Sequence, residues 1–135
     1  MAIQNDYAFH VKLSIPYAMA FQRISDALKT EGFGILTKVD MRATLREKLG
    51  KEFRDYSILG ACNPQLAERA LRLNLDAGLM LPCPIVVFEE DGHTSVSIAN
   101  PVVVVERFGD ETLRPIAVEA QQKLQRVLAA LVENA

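Results

Sequence analysis

The sequence predicts an α+β protein in which one mostly antiparallel sheet carries helices on one of its faces. Three observations support this class. Apolar and polar residues alternate near the start of the chain, apolar residues recur every three or four positions in longer segments, and two β-rich segments flank an Asp-Gly turn. The predicted order of elements is β-α-β-α-β-α-β-β-α. Because no linker-like segment interrupts this patterning, we expect a single domain over residues 1–135.

Composition excludes several classes of function. Among 135 residues, 15 Lys and Arg stand against 17 Asp and Glu, which gives a formal net charge of −2. This balance lacks the basic surplus of a nucleic-acid-binding protein. The chain has no apolar segment long enough to span a bilayer and no export-signal pattern at its start, so we expect no membrane partner and a cytoplasmic location.

The first elements follow from periodicity. The alternation over Tyr7–Leu13 predicts a strand whose outer face carries His10 as a solvent-facing residue. Pro16 suits the first turn of a helix whose apolar residues continue at helical spacing to Leu28. Gly32 then predicts a helix C-cap, because glycine adopts the left-handed conformation without steric cost.

The next segment repeats this alternation of strand and helix. Phe33–Val39 predicts a strand, and Asp40 is an N-cap for a short helix over Met41–Leu49 that ends at Gly50. A further strand is predicted over Tyr56–Cys62. The intervening charged residues alternate in sign, which favours a solvated surface over a binding patch for acidic ligands.

Turn residues divide the second half of the chain. Asn63 followed by proline predicts the start of a helix over Pro64–Asn74. Ile85–Glu89 and Thr94–Ala99 flank an Asp-Gly turn and are predicted to form a hairpin. The β-branched run Val102–Val105 is predicted to extend that strand or to form a buried sheet edge.

The chain ends in the most regular helical pattern. Phe108–Glu111 is predicted as a connecting loop, and Thr112 as the cap of a long helix. Apolar residues from Leu113 to Leu131 fall at spacings of three and four, and Pro115 lies in the first turn, where its missing N–H costs little. This stripe predicts a helix with one buried face.

One group of residues has the chemistry of a site. Cys62 and Asn63 follow one predicted strand, Cys83 precedes the next, and Asn100 follows the one after that. If these strands are antiparallel, all four residues lie at one edge of the sheet; if the first two are parallel, the cysteines lie at opposite edges. A shared site therefore depends on strand direction.

The two cysteines allow three interpretations. Cys62 precedes a helix N-terminus, where the helix dipole is expected to lower the pKa of a thiol, and Cys83 lies between two prolines. In the first interpretation the pair is part of a site for a small ligand or for a soft metal such as copper(I), and in the second it is the dithiol of a redox or thiol-transfer enzyme. The third interpretation is a structural interaction module with buried thiols, since free cysteine is often a core residue. The two His and two Cys form no zinc motif, and we assign no catalytic residue.

Several motifs carry a resemblance over nearly the whole chain. They are Glu31-Gly32-Phe33-Gly34-Ile35-Leu36, Leu45-Arg46-Glu47-Lys48-Leu49-Gly50, Ile58-Leu59-Gly60-Ala61-Cys62-Asn63-Pro64 and Leu79-Met80-Leu81-Pro82-Cys83. In this order they resemble the bacterial and archaeal domain-of-unknown-function family 302. The resemblance implies a curved antiparallel sheet similar to the TATA-binding-protein-like class, a homodimer, no established activity and no known cofactor. Fold likeness to that class does not carry DNA binding with it. Asn100-Pro101 departs from the Asp-Pro expected there.

Overall fold

The computed structural model describes residues 2–133. Six strands and five helices follow the chain in this order: β1 (Ala2–Gln4), β2 (Ala8–Leu13), α1 (Tyr17–Lys29), β3 (Gly34–Asp40), α2 (Met41–Leu49), β4 (Tyr56–Cys62), α3 (Pro64–Leu73), β5 (Cys83–Glu90), β6 (His93–Ala99), α4 (Pro101–Phe108) and α5 (Arg114–Glu133). Two 3₁₀ segments, Leu75–Met80 and Glu111–Leu113, precede β5 and α5.

All six strands form one sheet in the order β1-β2-β6-β5-β4-β3, and every pair of neighbours is antiparallel. The predicted hairpin is present, with Glu90 opposite His93 across the Asp-Gly turn. Asp91 and Gly92 both have positive φ, at 51° and 83°, as a tight two-residue hairpin turn requires. The predicted α+β class with an antiparallel sheet is therefore confirmed.

The main core lies between one face of the sheet and the helices α1 and α5. Alternate residues of the four central strands point to this face, and all of those packed in its centre are fully buried, among them Phe9, Val96, Ile85 and Leu59. Ile24 and Leu28 of α1 and Leu124 and Val127 of α5 close the core from above. Each such side chain contributes about 1.5–3 kcal/mol through burial.

Local signals position the helices as the sequence predicted. The carboxylate of Asp40 accepts a hydrogen bond from the backbone N–H of Ala43 at 3.0 Å, and Gly50 ends α2 with a φ of 65°. Arg42 pairs with Asp55, and Arg46 pairs with Glu52, on the exposed side of this segment. The charges are thus paired among themselves, as expected of a solvated surface.

Three local predictions were wrong. Val102–Val105 belongs to helix α4, not to a strand or a sheet edge, because the Asn100 cap and Pro101 at the first helical position outweigh the β preference of the valines. Phe108–Glu111 is not a plain loop, since α4 continues to Phe108 and Gly109 ends it with a φ of 89°. Asp110, not Thr112, is the capping residue before α5. Strand β1 was not predicted at all.

Candidate ligand cavity

Two helices begin at the same edge of the sheet. Strands β4 and β6 lie on either side of β5, and each is antiparallel to it. The ends of β4 and β6 therefore meet where β5 begins, at Cys83. Each leads into a helix through an Asn-Pro pair, Asn63 into α3 and Asn100 into α4. The antiparallel alternative holds, and the backbone brings all four predicted site residues to one edge.

The side chains of the two asparagines make structural hydrogen bonds. The Asn63 side chain accepts from the Leu66 N–H at 3.3 Å and donates to the carbonyl of Glu31 at 3.1 Å. The side-chain oxygen of Asn100 accepts a hydrogen bond from the Val102 N–H at 3.1 Å and another from the side-chain amide of Gln121 at 3.2 Å. Both side chains are buried. They fix the two helix starts, so both side-chain oxygens and the Asn63 amide nitrogen are already occupied.

The two cysteines lie next to each other along the sheet edge but turn to different faces. Cys83 is opposite Ala61, which belongs to the buried face, and Cys62 follows Ala61 in the chain. Because successive residues of a strand point to opposite faces, Cys62 points away from the face that carries Cys83. The two thiols therefore meet different surroundings.

Burial makes both thiols poor sources of thiolate. It raises the pKa of the Cys62 thiol above its ordinary value, so the expected lowering of this pKa is wrong. Burial raises the pKa of Cys83 to about 12. The Cys83 thiol also donates a weak hydrogen bond to the carbonyl of Ala99, at 3.8 Å. Both side chains are neutral near pH 7.

A cavity of about 90 Å³ lies against this edge, beneath α3, α4 and α5. It separates the main core from a second apolar cluster made of Leu66, Ala70, Ala77, Leu113 and Ile116. Its walls include both cysteines. The other lining residues are Phe33, Ala61, Asn63, Leu66, Ala67, Ala70, Ala77, Met80, Leu81, Pro84, Pro101, Val104, Val105, Leu113, Ile116, Ala117, Ala120 and Leu124.

Small side chains create this space. Ala67 and Ala70 on α3 lie three residues apart, as do Ala117 and Ala120 on α5, so each pair lies on one side of its helix. Ala77 of the 3₁₀ segment completes the set. Sequence reasoning missed these residues, because alanine is an ordinary helix residue and only the contact between α3 and α5 shows that the pairs line one space.

An open groove adjoins the cavity on the outer side of α3. Its apolar lining includes Leu36, Leu71 and Leu75, and its rim carries Glu68 and Arg72. Two residues, Cys62 and Ala67, line both the groove and the cavity. The cavity and the groove therefore adjoin at the junction of β4 and α3.

No cluster of three or more His, Cys, Asp or Glu side chains able to hold a metal ion occurs within residues 2–133. A copper(I) site made of Cys62 and Cys83 alone would need both thiols ionised and turned toward one ion. The raised pKa values and the alternation along β4 oppose both conditions. The cavity is suited to apolar groups.

The open face of the sheet carries a second polar group around His10. The side-chain oxygen of Asn5 accepts hydrogen bonds from the backbone N–H groups of Tyr7 and Ala8. The side-chain nitrogen of Asn5 is therefore the atom that lies 2.8 Å from His10 Nε2. His10 Nε2 must accept, and Nδ1 therefore donates to the Ser97 hydroxyl, 2.7 Å away. A histidine that activates serine would accept that proton instead. This arrangement is structural.

The fold and the cavity define an α+β domain built on one open antiparallel sheet. The family model described as "Domain of unknown function DUF302" matches residues 9–131, and the chain belongs to that family. The crystal structure of an uncharacterized conserved DUF302 protein from Bacillus stearothermophilus is similar to it. That protein shares 34% identity over 94% of this chain and 97% of its own, with a TM-score of 0.82. No match is found among curated proteins. No helix within residues 2–133 is both long and apolar enough to cross a membrane.

Proposed function

We propose that this protein binds a small apolar ligand in the cavity between its two apolar clusters. The observation that carries this proposal is an interior space of about 90 Å³ bordered almost wholly by apolar side chains. Close packing normally leaves few voids larger than a water molecule. An apolar void of this size is unfavourable for water, which needs two to four polar partners, and favourable for a hydrocarbon group.

The polar residues at the edge support a binding role without covalent chemistry. The side chains of Asn63 and Asn100 make hydrogen bonds that hold the helix starts and the neighbouring elements in place, so they shape the cavity. Cys83, on the buried face of the sheet, contributes a soft, apolar part of the wall, and Cys62 borders the cavity where β4 ends. We retain Cys62, Asn63 and Cys83 of the sequence-based ligand site as residues that line the cavity, with Asn100 next to the lining residue Pro101, and we favour an apolar ligand over a metal ion.

The thiol-enzyme alternative is less well supported. An attacking thiolate and a resolving partner need a lowered pKa and a common face, whereas both thiols here have raised pKa values and turn to opposite faces. A purely structural module remains the outcome if the cavity takes no ligand.

Titration with dissolved n-butane tests the proposal. Methyl NMR signals of Met80, Leu66 and Ile116, which line the cavity, are expected to shift saturably while those of the main core do not. Ala117→Leu fills the cavity and is expected to abolish the shifts. Ala120→Val gives the same test if the first variant does not fold.

Ala18→Leu is the matched control, because Ala18 is an exposed residue of a helix. It adds the same volume away from the cavity and is expected to leave butane binding unchanged. Absence of any saturable shift in the natural sequence would refute the proposal and leave the structural module.

We further propose that the chain is a single domain, that it is located in the cytoplasm and that it forms a homodimer. We also propose that its sheet has the curved, TATA-binding-protein-like form that the family resemblance implies. The uncovered face of the sheet carries Ile58, Val86 and Phe88, which are only partly buried. Phe88 stacks on Tyr56 at 5.5 Å between ring centroids. Light scattering is expected to give a dimer mass that Phe88→Glu reduces to a monomer. A monomer mass for the natural sequence would contradict this.

A further inference from the structure

The cavity and the neighbouring groove adjoin at Cys62 and Ala67, which line both spaces. We infer that the site takes an unbranched single-chain amphiphile, whose chain end occupies the cavity and whose remaining chain lies along the groove. This inference rests on the proposed function and names its ligand class.

The size of the cavity selects a chain over a ring. Its volume is about 90 Å³. An engineered protein cavity that binds benzene measures about 150 Å³. The space is therefore smaller than one known to take an aromatic ring, which favours a few methylene groups in a row. A ligand longer than these few groups must leave the cavity through a wall.

The wall at Cys62 and Ala67 is the best exit. Both side chains are small and both are only partly buried, although each lines the interior space. Cys62 ends β4 and Ala67 lies in the first turns of α3, so the gap between them lies at a junction of two elements. A chain passing there displaces no large core residue.

The groove outside this wall has an apolar floor of unusual exposure. Leu36 is 67% exposed and Leu75 is 86% exposed, and both line the groove together with Leu71. A chain laid along them removes this apolar surface from water, which is the main gain on binding. At the rim, Glu68 and Arg72 form an exposed ion pair at 3.2 Å. Because an exposed ion pair is weak, the rim stays hydrated and suits the polar head group of the ligand.

A chain-length series tests the inference. Calorimetric titration with hexanoate, octanoate, decanoate and dodecanoate, each below its micelle concentration, is expected to show Kd falling about threefold to fourfold for each added methylene group. Dodecanoate is also expected to slow alkylation of Cys62 by iodoacetamide, because the chain covers that thiol. A Kd independent of chain length, or an unchanged alkylation rate, would overturn the inference.

Two exposed leucines provide matched variants that should not disturb folding. Leu75→Ser removes part of the groove floor, whereas Leu79→Ser changes an equally exposed leucine, 83% exposed, that does not line the groove. We expect Leu75→Ser to weaken dodecanoate binding at least fivefold and to leave hexanoate binding unchanged. Leu79→Ser should bind both like the natural sequence. Equal losses in the two variants would contradict the assignment of the groove.

The series separates failure of the inference from failure of the proposed function. If butane shifts the methyl signals of the cavity but added methylene groups bring no gain, the cavity binds a small ligand and the amphiphile is wrong. If neither butane nor any alkanoate binds, both proposals fall.

Discussion

The two apolar clusters of this protein are built differently. The main core joins the sheet to α1 and α5 through large side chains with no accessible surface, such as Phe9, Ile24, Leu28 and Ile85. The smaller cluster beneath α3 and α4 is centred on Leu66, Leu113 and Ile116, with alanines between them and a cavity beside it. One region is filled, and the other keeps an interior space.

This difference assigns stability to the filled region and binding to the region that keeps an interior space. Deleting a side chain from a filled region leaves a void and removes many contacts, whereas a region that already contains space loses less. The asparagine caps of α3 and α4 then hold the looser region in place at its edge. A site can occupy such a region without weakening the rest of the fold.

Replacing one leucine by alanine in each region tests most directly whether the two regions are packed differently. Leu28→Ala in the main core is expected to cost about 4 kcal/mol of unfolding free energy, and Leu66→Ala beside the cavity about 2 kcal/mol. Urea denaturation of both variants measures this, with unchanged m-values as the control for two-state unfolding. Equal costs would show that the two regions are packed alike.

Gly60 tests how closely the cavity edge is packed on the outer face of the sheet. A Cβ at this position would collide with the ring of Pro82 and the hydroxyl of Thr37, so Gly60→Ala must displace the segment that leads into Cys83. We expect a loss of about 1–3 kcal/mol. Gly34→Ala is the control, because a Cβ there meets nothing within 4 Å. A Gly60→Ala protein as stable as the control would mean that this segment moves freely.

Alkaline pH tests the burial of Cys83. The pKa of this thiol is raised from 9.0 to about 12 in the folded protein. Between these values the unfolded chain loses the proton first, so stability is unaffected below about pH 9 and falls as pH rises toward 12. The slope approaches about 1.4 kcal/mol per pH unit from this one group.

Denaturation at several pH values from 8 to 11 measures that slope. Cys83→Ala is expected to flatten it even if the variant is less stable at every pH. Cys62→Ala serves as the control and should keep most of it. A slope that survives in Cys83→Ala would place the titrating group elsewhere.

The smallest expected effect concerns the caps. Asn63→Ala removes the acceptor for the Leu66 N–H and is expected to cost about 1 kcal/mol. Asn63→Ser keeps a capping acceptor and, like Asn63→Ala, loses the bond to the Glu31 carbonyl, so its cost should be smaller. Thermal unfolding of the two variants compares them. Equal stability of the two variants would mean that the bond to Glu31, which both lose, matters more than the cap.

Most of the fold could be predicted because local signals and burial agreed. The bounds of α2 and β4 match the prediction, since Asp40, Gly50 and the alternating residues of β4 all act locally. The valines of α4 show where this fails. Their β preference was read without weighing Asn100 and Pro101, whose capping chemistry already marked a helix start.

The site was predicted only in part, for a different reason. The edge that holds Cys62 and Cys83 follows from the antiparallel direction of β4 and β5, one of the two alternatives that the sequence left open. The cavity does not follow, because it depends on which alanines of α3 face α5 across space. The pKa of Cys62 was misjudged because a helix dipole can be read from sequence and burial cannot.

Diffraction from crystals under xenon pressure would examine the interior space most directly. Xenon enters apolar cavities and leaves polar or filled regions empty. We expect one ordered xenon atom among Ala70, Ala117 and Cys83, and none in the main core beneath α1. Crystals without xenon at that position, or with xenon only inside the main core, would contradict an accessible apolar cavity.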